Sequence, residues 1–355
     1  REVARKTWLF FDRFAQKSTN YLCPDNLQVA PQEKVANRTS PTNIGMQFLA
    51  YLSARDFGFI SLHQLLERVE DLLYTVSVLP KWQGHLYNWY DTTNLALLYP
   101  HYVSTVDSGN FIGNMIALKQ GLLALKEDAI FSESNHREVS LQINALKLDA
   151  ALKASYHLFS ELKTDLEVVQ WAAEYQATID KDAAQRLASM VIELRHEIDR
   201  FSLDNHQAIT TTLKQLAKAG NPEAIKRTKR IDALVDIIDH MIHAADFSAL
   251  YDPKRQLFHI GYNENTQRLD DSYYDLLASE AMVASFLAIA KHQVSLKHWR
   301  RLGRPHALIA HIPTHISWSG TMFEYLMPPL LLAYQPGSVF DDACKGAVIQ
   351  QQRHA

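Results

Sequence analysis

The amino-acid sequence predicts an all-α protein. Three observations lead there. Between Gly121 and Gly220 there is neither a Gly nor a Pro, and apolar residues recur at helical spacing within that stretch. Capping-box patterns stand ahead of several apolar runs. Asn221-Pro222 precedes a segment whose Ile225, Ile231, Leu234, Ile237, Ile238, Met241 and Ile242 are assigned to one side of a helix.

In chain order, Arg38-Thr39-Ser40-Pro41-Thr42-Asn43 precedes a helix starting near Ile44, with Thr42 or Asn43 as its cap. Ser61-x-x-Gln64 ahead of Leu65-Leu66 reads as a capping box. Tyr102 to Val106 reads as a short strand feeding a helix that Asp107 or Ser108 caps. A long helical middle follows over 125–245, with Leu141, Ile143, Leu146, Leu148, Leu152 and Leu158 as its apolar repeat. Thr164-x-x-Glu167 before Val168-Val169 opens one of its helices. Leu257 to Tyr262 and Ala307 to Ile312 are further extended candidates, and Thr321-x-x-Glu324 before Leu326 is a third box. Roughly ten to twelve helical elements result. No repeat of about 20 to 50 residues is visible, which disfavours a solenoid.

The 355 residues suffice for one large domain or two average ones, and 47% hydrophobic content supplies a substantial core. Thirty-six Lys and Arg nearly balance 39 Asp and Glu, for a formal charge of −3, so no electrostatic footprint for nucleic acid or an anionic membrane exists. No apolar run reaches the roughly 18 residues that span a bilayer. The opening Arg1-Glu2-Val3-Ala4-Arg5-Lys6 resembles neither a start site nor a signal peptide, so an excised piece or processed product is expected. Cys23 and Cys344 are read as buried thiols, not a disulfide.

Aromatic and polar residues concentrate in the segments 37–43, 85–93, 101–110, 257–271 and 307–320. His85-Leu86-Tyr87-Asn88-Trp89-Tyr90-Asp91 interleaves rings with hydrogen-bonding groups, which suits a sugar's C–H faces and hydroxyls; core or rim aromatics are the plainer alternative. Arg38 offers a fork for a carboxylate or two hydroxyls. Ser317-Trp318-Ser319-Gly320-Thr321-Met322-Phe323-Glu324-Tyr325-Leu326-Met327-Pro328 sets a carboxylate in an aromatic context, with capping as the rival role for Glu324.

Glu280 has the strongest physical case. Read as helical, its three- and four-residue neighbours are Leu276, Leu277, Val283 and Ala284, all apolar. Desolvation on such a face favours the protonated form that a general acid needs. Pairing with an arginine such as Arg38 or Arg268 is the alternative. His240 and His243 stand one turn apart without a third ligand nearby, and Pro313 separates His311 from His315, so no metal is expected. There is no G-x-S-x-G, P-loop or dinucleotide fingerprint, and no cofactor is expected.

Six motifs, in order, carry a family resemblance: Arg38 to Gly45, Tyr87 to Thr92, Val103 to Asn110, Ile260 to Asn263, Tyr273 to Ala281, and Ser317 to Pro328. Together they resemble the central domain of bacterial cyclic β-1,2-glucan synthases, glycoside hydrolase family 189, which is related to the family 144 endo-β-1,2-glucanases. The resemblance spans nearly the whole chain, although 125–245 carries no motif of its own. It implies an (α/α)6 barrel of helical hairpins formed by a single domain over 1–355. It also implies an anomer-retaining transglycosylase that turns linear β-1,2-glucan into rings.

By the same resemblance, Glu280 matches the family's general acid/base. The expected substrate-binding set is Arg38, Asn43, Tyr87, Trp89, Asp91, Asp107, Tyr274, Asp275, Trp318 and Glu324. The family's nucleophile, a glutamate in a Gly-Ile-Ser-Glu-Ser segment, is expected past Ala355 with the last helices of the barrel. A setting on the cytoplasmic face of the inner membrane is implied, between glycosyltransferase and phosphorylase-like parts of a larger membrane protein, this chain itself being soluble. Two other readings are an inverting endo-β-1,2-glucanase and a non-catalytic glucan-binding or structural piece. Carboxylates about 5–5.5 Å apart imply retention, and about 6.5–9.5 Å inversion.

Overall fold

Helices make up most of the ordered secondary structure, as the apolar spacing predicts. The computed structural model describes residues 1–130, 181–203 and 210–354. Its helices are α1 (Glu2–Phe14), α2 (Pro41–Asp56), α3 (Leu62–Val78), α4 (Thr105–Ala124), α5 (Lys181–Arg200), α6 (Leu213–Lys218), α7 (Pro222–Ala244), α8 (Met282–Ala290), α9 (Lys297–Arg301), α10 (Met322–Leu326), α11 (Pro328–Leu331) and α12 (Val339–His354). Short antiparallel ribbons join them. The predicted repeat from Leu141 to Leu158 and the box at Thr164 and Glu167 lie outside the described residues. Among the described residues, no helix is long and apolar enough to cross a membrane.

Three helix starts form as the local sequence dictates. Ser61 and Gln64 exchange backbone-to-side-chain hydrogen bonds at 3.0 and 3.1 Å ahead of α3. Asn221 Oδ1 accepts from the Ala224 amide at 3.1 Å, with Pro222 as the first helical residue of α7. Thr321 and Glu324 close the reciprocal box of α10. The stripe on α7 is narrower than predicted. Ile231, Leu234 and Ile238 are buried, but Ile225 and Ile237 are exposed. Their spacing of six residues from Ile231 turns them off the buried face at 3.6 residues per turn.

The chain divides into two compact units. One comprises Arg1–Arg13, Leu49–Tyr74 and Leu118–Ile237. Its interior holds an ion pair: Arg227, fully buried, donates to Glu197 and stacks on Phe201 at 4.6 Å. Glu223 also accepts from Arg227, at 2.9 Å, so the buried guanidinium is compensated on two sides.

The other unit comprises Phe14–Phe48, Thr75–Ala117 and Ile238–Ala355, and it carries the candidate site. Here Arg38–Thr39 pairs with Tyr90–Asp91, and Tyr102–Ser104 pairs with Gly261–Asn263, Gly261 lying opposite Ser104. These ribbons deliver the chain directly into α2 and α4. His306–Ile309 and Ile312–His315 form a hairpin whose turn residues Ala310 and His311 have φ of 49° and 65°, the handedness that tight hairpins require. Cys23 and Cys344 are buried free thiols, as read from the sequence.

Candidate active site

Two helix N-termini build the floor of a cleft. Ser40, not Thr42 or Asn43, caps α2: its hydroxyl accepts from the Asn43 amide at 3.2 Å, and Pro41 takes the first helical position. Ser104, not Asp107 or Ser108, caps α4, accepting from the Asp107 amide at 3.1 Å. The helices therefore begin earlier than predicted, because each serine sits at the end of a paired ribbon where the chain must turn. Asn88 braces the second of these ends by accepting from the Ser104 amide at 3.2 Å. Thr42, Asn43 and Asp107 are thereby released from capping. Thr42 Oγ1 donates to Asp107 Oδ1 at 2.6 Å, tying the two first turns together.

Small residues bring the helices close behind this floor. A Cβ on Gly45 of α2 would stand 2.5 Å from Asn114 Nδ2 of α4, and one on Gly109 of α4 would stand 2.6 Å from the Ala284 backbone of α8. That approach places Glu280, just ahead of α8, over the start of α4. Glu280 is not helical, contrary to the sequence reading; it lies in the turn preceding α8. Long-range pairing overrides the helical pattern here. The Leu277 amide donates to Gly303 O at 2.9 Å, and the Gly303 amide to Asp275 O at 2.7 Å, which holds this stretch extended. Ser279 then turns the chain by accepting from the Ala281 amide at 3.1 Å.

The resulting cleft has a volume of about 300 Å³ and is lined by Ser40, Thr42, Asn43, Ser104, Val106, Asp107, Tyr274, Glu280 and Phe323. Among the described residues no cation pairs with Glu280. Arg38 is engaged by Asp25 at 3.1 Å, and Arg268 is exposed on a ribbon paired with Asn263. Burial, and then the negative charges of Asp107 and Glu324, push the Glu280 carboxyl up to about 7. Burial also raises Asp107, against the hydrogen bonds from Thr42 and Ser104. Tyr274 is raised by burial and by the charges of Glu280 and Asp107.

Glu324 behaves oppositely. Burial alone raises it, but hydrogen bonds from Ser319, Thr321 and Ser317 outweigh that and hold it below the usual carboxylate range. Its oxygens accept from Ser317 Oγ at 3.0 Å, Ser319 Oγ at 2.7 Å and the Thr321 amide at 3.0 Å. A glutamate held ionised thus organises the 317–321 loop, while a glutamate shifted toward its protonated form faces the cleft. Two carboxyls pushed apart in this way are what acid catalysis next to a fixed negative charge requires.

Of the residues expected to bind substrate, Asn43, Asp107 and Tyr274 share the cleft with Glu280. Tyr87 does not line it; the ring is buried in the core at 4% exposure, and its amide donates to Tyr90 Oη at 2.8 Å. Asp91 accepts from Thr93 and Asn94, capping a tight turn that lowers its pKa through those hydrogen bonds. Trp89 is half-buried beneath Arg38, whose guanidinium lies 4.3 Å from the ring centre. Trp318 is 67% exposed, its indole N–H held by Asp275 at 3.1 Å. Ser40, Thr42, Ser104 and Phe323 line the cleft without having been expected there. Ser40-Pro41 and the Ser104-x-x-Asp107 spacing were the available signals.

The fold is shared with helical carbohydrate-active enzymes. The endo-β-1,2-glucanase from Chitinophaga pinensis, solved with sophorotriose and glucose, superposes with a TM-score of 0.58 at 13% identity, over 99% of this chain and 66% of that one. A glucoamylase-type protein from Bacteroides caccae gives 0.50 at 13% identity, over 92% and 58%. No family model matches the chain. The chain is homologous to a region of the cyclic β-(1,2)-glucan synthase NdvB of Rhizobium meliloti, with 33% identity over 382 aligned positions. That alignment takes in 99% of this chain and 13% of the synthase.

Proposed function

We propose that this chain is a β-1,2-glucan-active domain of glycoside hydrolase type with an (α/α)6-type fold, in which Glu280 is the general acid/base. The observation that carries the reading is a half-buried carboxyl, unpaired by any cation among the described residues and raised to about 7, facing a cleft beside Asp107 and Tyr274. Such a group keeps its proton up to about pH 7 and can release it to a glycosidic oxygen as the bond breaks. Homology to a region of the synthase, together with the quoted motifs, supports transglycosylation with retention, giving cyclic β-1,2-glucan. In that reaction a second carboxylate attacks the anomeric carbon and a sugar hydroxyl replaces water as acceptor. Neither Asp107 nor Glu324 is assigned that role: Asp107 is held by Thr42, and Glu324 is committed to its loop. The part would act within a larger membrane-associated protein, beside glycosyltransferase and phosphorylase-like parts.

Asp107 favours one competing reading. A second carboxyl in the same cleft suits inverting hydrolysis, with Asp107 as base for water. Linear β-1,2-glucan separates the outcomes: rings support the first reading, shortened chains of inverted anomer the second, and unchanged glucan opposes both. A Glu280→Gln protein that turns over glucan as fast as the parent would sink the acid/base assignment, since loss of such a group slows the reaction about 10²- to 10⁴-fold.

A further inference from the structure

Asp25, in the loop before the first ribbon, accepts from three side chains at once: Arg38, Asn43 and its neighbour Asn26, whose Nδ2 donates to Oδ2 at 3.0 Å. Its Oδ2 accepts from Arg38 Nη2 at 3.1 Å and Nε at 3.3 Å, and its Oδ1 accepts from Asn43 Nδ2 at 3.3 Å. Its own amide donates to Arg38 O at 2.6 Å, so backbone and side chain of the two residues are joined. Arg38 in turn lies over Trp89, with 4.3 Å from guanidinium carbon to ring centre. One carboxylate therefore links a cleft residue, Asn43, to a stacked arginine and tryptophan beside it.

We propose that Asp25 is a positioning residue, building from Arg38 and Trp89 a platform that binds a neutral glucosyl unit on the Asn43 side of the cleft. This rests on the β-1,2-glucan reading above and names a further contact for that substrate. The chemistry is specific. Asp25 occupies the Nε–H and one Nη2–H of Arg38, leaving three N–H donors for sugar hydroxyls. The Trp89 ring carries the guanidinium on its face, which fixes the plane in which those remaining donors point. The salt bridge itself is half exposed on the Arg38 side and contributes little to stability. What it contributes is geometry: without it, a long side chain with several rotatable bonds loses its fixed place over the ring.

The test uses the whole chain in the Glu280→Gln background, so that linear β-1,2-glucan is bound and not consumed, with affinity read by calorimetry. Asp25→Asn should weaken binding about three- to fivefold, the scale of an exposed cation–π or stacking contact. With Arg38 already changed to Gln, Asp25→Asn should weaken binding by a clearly smaller factor, and Asp25→Glu should restore part of the loss. Unchanged affinity in Asp25→Asn overturns the proposal, as does a loss undiminished by Arg38→Gln. If Asp25→Asn does not fold, Arg38→Gln and Trp89→Ala must each weaken binding and must be non-additive together; independent effects overturn it. A parent chain that binds no β-1,2-glucan defeats the functional reading and the platform with it, whereas a parent that binds with an indifferent Asp25 defeats the platform alone.

Discussion

Gly109 of α4 stands against the backbone of Ala284 in α8, so closely that a Cβ on Gly109 would lie 2.6 Å from the Ala284 amide nitrogen. Asp107 lies two residues before this contact and Glu280 four residues before it on the other strand of the chain. The approach therefore sets how near the two carboxyls come. Two effects of Gly109→Ala oppose one another. Helix propensity favours alanine by about 1 kcal/mol, whereas forcing a methyl into backbone costs about 1–3 kcal/mol. Overpacking wins because the obstacle is main chain and cannot rotate away. Urea unfolding should show a lower midpoint for Gly109→Ala; a higher one would mean the helices are not in contact.

Glu280 titrates in the folded protein at about 7, above its ordinary 4.5. Between those values the folded state binds more protons than the unfolded state, so stability falls as pH rises from about 4.5 to about 7 and then levels. Glu280→Gln removes that penalty. Its melting temperature should exceed the parent's at pH 8 and approach it at pH 4. Equal differences at both pH values would contradict the buried, unpaired state of this carboxyl.

Asp107 supplies the largest charge acting on Glu280, after burial. Asp107→Asn should lower the Glu280 pKa, since a nearby like charge is lost. If Glu280 must be protonated to act, kcat/KM declines above its pKa. The decline should begin at lower pH in Asp107→Asn than in the parent. An unmoved basic limb would mean that the two groups do not interact.

Trp318 is mostly exposed, yet its indole is fixed by Asp275. An exposed ring that packs little should be removable without unfolding the protein. Trp318→Ala should leave the melting temperature nearly unchanged and weaken binding of linear β-1,2-glucan about fivefold, within the 0.5–1.5 kcal/mol of an aromatic contact. Unaltered affinity would remove Trp318 from the substrate-binding set.

The capping boxes at Ser61 and Thr321 and the start at Asn221-Pro222 were legible because donor and acceptor lie within four residues of one another. The caps of α2 and α4 were misplaced by a few residues. The ribbons that end at Ser40 and Ser104 are formed by partners far along the chain, and local propensity does not register them. The turn at Glu280 escaped for the same reason, since Gly303 holds the preceding residues extended. Tyr87 looked like a sugar-stacking ring and is buried, because an aromatic-rich segment does not reveal which ring faces inward. Asp25 escaped notice because its partners Arg38 and Asn43 lie 13 and 18 residues further along the chain.

By itself the sequence determined the helical class and the family resemblance, since apolar periodicity and short motifs are properties of neighbouring residues; the helical face it assigned to Glu280 did not form. Only the tertiary structure decided what Glu280 is chemically. Desolvation and the charges of Asp107 and Glu324 are sums over space, and they push one glutamate toward holding its proton while hydrogen bonds keep the other ionised.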